Sequence, residues 1–157
     1  MKQEDKELIF KELCARLPYH VKCKIWLEDG TTEEGLLDLQ HNYGNVLQDA
    51  FYYNKIKDIK PYLRPMSSIT DEEKIELQKA FNIKSSIIGE YGISSNNAWW
   101  VKDRREPLGF DTIRYTSFCG VTNYLNSIHV DYRGLIEKGL AIKVTKENNP
   151  YEIRSRG

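Results

Sequence analysis

The sequence predicts an α+β protein: an N-terminal helix on a small curled antiparallel sheet, a Pro-rich connector, and a helical C-terminal part with short strands. Three observations carry that expectation. Apolar residues recur with helical period before Pro18, the period changes to two after it, and a helix start signal appears at Thr70. The chain's 157 residues suffice for one ordinary domain or two small ones sharing a core, and the composition divides it into 1–66 and 67–157.

The first helix is expected over Glu4 to Leu17, with Ile9, Leu13 and Leu17 on one face, Phe10 beside them, and Glu4, Asp5, Glu7, Lys11 and Glu12 mainly elsewhere around the cylinder. Pro18 ends it. Val21, Cys23, Ile25 and Leu27 then alternate with Lys22, Lys24, Trp26 and Glu28, the pattern of a half-buried strand. Asp29-Gly30 supplies a hairpin turn, because glycine tolerates the positive φ required there. The returning strand is expected over Thr32 to Leu39, a third over Val46 to Tyr53 and a short fourth over Ile56 to Ile59.

Lys60 to Ser68 holds two prolines and is expected as an extended connector. Thr70 with Glu73 forms a capping box, with Asp71 and Glu72 favourable to the helix dipole, so a helix follows to about Phe81. Glycine, asparagine and proline punctuate Ile83 to Tyr115 into short strands near Ser86 to Glu90, Ala98 to Lys102 and Thr112 to Tyr115, joined by mobile loops. Helices are expected at Val121 to Ile128 and Tyr132 to Lys138, then a strand at Leu140 to Val144, with one further edge strand in the tail.

Lys plus Arg and Asp plus Glu both number 23, so no general attraction to nucleic acid or anionic membrane is available, and such binding needs a local basic patch. The N-terminus lacks the apolar run of a signal peptide, and nowhere do about 18 apolar residues run together, which points to the cytoplasm and away from the membrane. Cys14, Cys23 and Cys119 are an odd number at unrelated spacings, as expected of reduced thiols. Ten tyrosines and three tryptophans supply amphipathic rings for a core or a contact surface.

Helix, turn, helix, strand from Cys119 to Val144 is the order of a winged helix-turn-helix. Its second helix, however, carries Asp131, Arg133, Glu137 and Lys138, which sum to zero where phosphate contacts call for a surplus of positive charge. Leu135, Ile136, Leu140 and Ile142 are therefore assigned to the core and Gly139 to a C-terminal cap. The most ligand-like stretch is Trp99 to Arg105. Trp99 or Trp100 beside Lys102, Arg104 and Arg105 suits a stacked base and a phosphate, although on a strand the two indoles point to opposite faces. Cys119 and His129 are too far apart along a helix, roughly 15 Å at 1.5 Å per residue, to form a catalytic dyad. Cys14, His20 and Cys23 lack a fourth ligand at zinc spacing, so neither a metal nor another cofactor is expected.

Three segments, LCARLPYHVKCKI, IKPYLRPMSSITDEE and YLNSIHVDYRGLIEKGLAI, resemble small proteins encoded by phages and mobile elements of gut Bacteroidetes, a family with no assigned activity. The likeness covers roughly half the chain and leaves out the stretch around Trp99. It implies an accessory protein in a bacterial cytoplasm that engages host machinery. The expected function is thus binding without catalysis, to a protein partner or to a second copy. The alternatives are a nucleotide or nucleic-acid binder, acting by sequestering a signalling nucleotide or by a winged-helix-like DNA contact, and an enzyme without a recognisable motif.

Overall fold

A computed structural model describes residues 2–37, 56–81, 88–93, 99–105, 110–116 and 118–152. Two compact units are present, one of residues 1–66 with 129–157 and one of residues 67–128. The last segment, which the composition grouped with the second part, thus belongs to the first unit.

Helix α1 (Gln3–Arg16) buries Ile9 and Leu13 in one cluster with Val21, which precedes strand β1 (Lys22–Leu27), and with Cys23 and Ile25 of that strand. The helical and two-residue periods therefore meet face to face, as α+β packing requires. Phe10 lies off this stripe and is 69 % exposed, whereas Glu12, expected on the polar side, is fully buried. Pro18 falls in a single 3-10 turn at Leu17–Tyr19, and His20 adopts a left-handed conformation (φ 53°) that redirects the chain into β1.

β1 pairs antiparallel with β2 (Thr32–Leu36) and β3 (Ile56–Pro65). The intervening turn has Gly30 at φ 86°, the Leu27 amide donating to the Thr31 carbonyl at 2.9 Å, and Asp29 Oδ1 accepting from the Thr31 amide. The strand expected over Val46 to Tyr53 lies outside the described residues.

The proline-containing segment is not a connector but the second half of β3, the strand to which the rest of the sheet attaches. Proline cannot donate a ladder hydrogen bond, so it is tolerated where no donor is needed. Pro61 is the last β3 residue paired with β1, and Pro65 is the last residue of the strand. Beyond Pro61, β3 gains two short parallel partners, β7 (Val130–Asp131) and β8 (Ile142–Lys143).

Between these partners the expected helix over Tyr132 to Lys138 is replaced by turns. Gly134 is left-handed (φ 72°), which breaks helical continuity at its start. The Asp131 carboxylate accepts from the Leu135 and Ile136 amides at 3.0 and 2.8 Å. Gly139 (φ 70°), expected to cap that helix, instead closes the last of these turns: its amide donates to the Ile136 carbonyl, and the Leu140 amide donates to that of Leu135 at 2.8 Å. Leu135, Leu140 and Ala141 join the core. Residues 145–152 form bends and a turn, not an edge strand.

In the second unit, helix α2 (Asp71–Ala80) starts with both hydrogen bonds of the Thr70–Glu73 capping box. It packs with α3 (Phe118–Ser127), and Leu77, Phe81, Val121 and Leu125 are buried. The middle of the chain forms a three-stranded antiparallel sheet of β4 (Ile88–Ile93), β5 (Trp99–Arg105) and β6 (Phe110–Thr116), with an irregularity in β4 between Ile88 and Tyr91. The loops expected between these strands fall outside the described residues.

Two substitutions separate the local devices. Thr70→Ala removes the cap and should cost about 1 kcal/mol. Gly139→Ala meets no clash but forces a Cβ into the left-handed region, at roughly 1–2 kcal/mol. Urea melts of both variants against the parent chain measure these losses.

Candidate functional site

Trp99, Trp100, Lys102, Arg104 and Arg105 all lie on β5, the central strand of its sheet. Pleat parity places Trp100, Lys102 and Arg104 on one face and Trp99 and Arg105 on the other, so the five do not form a single constellation. The regular register with β6 sets Trp100 against Tyr115, Lys102 against Ile113 and Arg104 against Asp111. Residues directly opposite share a face. That face therefore combines two aromatic residues, two cations and one acid, while the other carries Trp99, Val101, Asp103 and Arg105 with Phe110 and Arg114 in register.

A second aromatic and cationic arrangement, not singled out from the sequence, lies on the first sheet. Val21, Cys23 and Ile25 are buried among the α1 contacts, so Lys22, Lys24 and Trp26 fall on the opposite face of β1. The register brings Lys60 of β3 directly opposite Lys24, with Glu34 of β2 on its other side. Lys24 Nζ and Lys60 Nζ lie 5.7 and 5.6 Å from the centre of the Trp26 ring. The alternation at Lys22, Lys24 and Trp26 was visible in the sequence. Lys60 was not, because its position depends on β3 continuing through the prolines.

The same face leads into a cleft of about 510 Å³ lined by Lys22, Glu34, Tyr62, Asn148, Asn149, Pro150 and Glu152. Tyr62 Oη donates to Glu34 Oε1 at 2.5 Å, and burial, with this carboxylate, pushes its hydroxyl up to about 12. Tyr151 ties β1 to β3 beside these residues: its hydroxyl donates to the Tyr62 carbonyl at 2.7 Å and accepts from the Lys22 amide at 3.2 Å. Its ring stacks on His129 at 3.9 Å, and burial raises its pKa.

A polar cluster fixes the returning chain. Arg16 Nε donates to Glu12 on the same helix, Arg16 Nη2 donates to the Val130 carbonyl at 2.6 Å, and Arg133 Nε lies 3.0 Å from Glu12 Oε2. The Arg133 contact is an ion pair without hydrogen-bond alignment. Both guanidinium groups lie against the Tyr132 ring, at 5.7 and 5.2 Å. His129, left-handed at φ 58°, is held down to about 4 by burial and then by the positive charges of Arg16, Arg64 and His20.

Cys23 is a poor nucleophile, its thiol pushed up to about 12 by burial. Cys14 lies exposed on α1. Among the described residues no group of three His, Cys, Asp or Glu side chains is placed to hold a metal ion, and no helix is long and apolar enough to cross a membrane. Comparison with family models, curated proteins and solved structures finds no match.

Glu12→Leu should destabilise the chain by roughly 3–5 kcal/mol, because it removes the counter-charge of a fully buried guanidinium. Adding Arg16→Met should restore much of that loss, as chemical denaturation would show. The cluster also sets a pH dependence. The unfolded His129 imidazole takes up its proton near 6.5 and the folded one only near 4. The unfolded chain therefore binds the extra proton between those values, and stability falls as pH drops through the window. The effect is on the order of 2 kcal/mol once the partial exposure of the ring is discounted. His129→Asn, which keeps a residue tolerant of positive φ, should flatten this limb in urea melts from pH 7 to pH 4.

Proposed function

We propose that this protein is a non-catalytic accessory factor that acts by binding a protein partner through the β4–β6 sheet. The observation that carries this reading is the register of Trp100 against Tyr115 on the face that also holds Arg104. Tryptophan, tyrosine and arginine are the residues in which contact hot spots are enriched, since each brings a large surface and a directional polar group. Asp111 opposite Arg104 partly offsets the positive charge, which suits a mixed protein surface better than a run of phosphates. The likeness to phage and mobile-element proteins supports a bacterial host protein as the partner.

Affinity capture from bacterial host lysate with the full chain should recover a specific partner that Trp100→Ala and Arg104→Ala each reduce by tenfold or more. Capture of the same proteins by the parent chain and both variants would refute this assignment.

A further inference from the structure

The balanced overall charge means that any nucleic-acid contact requires a local basic patch, and the outer face of the first sheet supplies one. Lys24 and Lys60 are direct cross-strand neighbours, and both ammonium groups gather at one indole. Like charges set opposite each other weaken a sheet. Lys22 lies two residues from Lys24 on the same strand, about 6.6 Å away along it by strand rise, a spacing of the order of that between successive phosphates on an extended strand. Among the described residues none of these three lysines forms an ion pair. Among the described residues the strands of this face also carry two carboxylates, Glu34 opposite Lys24 and Asp58 opposite Trp26, which leave it one positive charge in excess. Glu34 accepts from the Tyr62 hydroxyl, and Asp58 Oδ1 accepts from the Ile59 amide at 2.9 Å.

We propose that this face binds single-stranded nucleic acid, with Trp26 stacking a base and Lys22, Lys24 and Lys60 holding the adjoining phosphates. Stacking on an aromatic residue beside a cationic track is how single strands are held without reading their sequence. A phosphate between Lys24 and Lys60 relieves their mutual repulsion and draws both ammonium groups off the indole. The freed ring then accepts a base.

The test is fluorescence anisotropy of the full chain with labelled oligothymidylate and oligouridylate of about 12 nucleotides, over a range of salt concentrations. The parent chain is expected to bind one or both at low salt, and the preferred arm identifies DNA or RNA as the source of the strand. Lys24→Ala with Lys60→Ala removes a repulsive pair and should leave the melting temperature unchanged or raised. It should weaken binding at least tenfold and reduce the salt slope by about two. Trp26→Phe should weaken binding while leaving that slope unchanged. Failure of the parent chain to bind at low salt, equal binding by the double lysine variant, or equal competition by polyglutamate would each overturn the proposal.

Discussion

The first unit depends on the burial of Glu12 and Arg16. An ion pair removed from water is tolerated only when the remaining polar atoms of both partners find company. On α1 the two residues satisfy each other incompletely: Arg16 has a further donor for the Val130 carbonyl, and Glu12 has a second oxygen that draws Arg133. Both partners come from the returning chain. Once Val130 is held, the Arg64 amide donates to the adjacent His129 carbonyl at 2.8 Å, Asp131 caps the following turn, and Leu135 and Leu140 close the apolar cluster. A charged contact on one helix thereby positions two strands, a turn and part of the core.

The features legible in the sequence were those set by near neighbours. The Thr70–Glu73 box, the Asp29-Gly30 turn and the left-handed turn at Gly139 are each specified within a few residues, and each is formed. The errors arose where a distant contact overrode a local signal. Pro61 and Pro65 read as a connector because proline removes a ladder donor, yet β3 places them at the limits of its pairings. Tyr132 to Lys138 has a helical apolar period, but Gly134 turns left-handed and the Asp131 side chain takes the amides that a first helical turn would leave open. Glu12 read as solvated because nothing near it in sequence announces Val130 and Arg133.

The binding faces divide in the same way. Parity along β5 follows from its sequence, so the separation of Trp99 from Trp100 was foreseeable. Their partners Thr116 and Tyr115 required the β6 register. The Trp26 face was half legible, since Lys22, Lys24 and Trp26 alternate with buried residues on one strand. Its other half, Lys60, arrives only through cross-strand pairing, and cross-strand register is the information that a single strand's pattern lacks.

The parallel pairing of Arg64 with Val130 and of Pro65 with Asp131 means that the chain leaves the first unit and re-enters it on adjoining strands. Residues 67–128 are therefore a guest whose attachment points already lie side by side in the host. An insertion with that geometry can be lengthened, exchanged or lost without parting any strand of the host sheet. The host sheet, by contrast, is completed by β7 and β8, which follow the guest in the sequence, so during synthesis the guest emerges before those strands. The two units are thus ordered in time as well as in sequence.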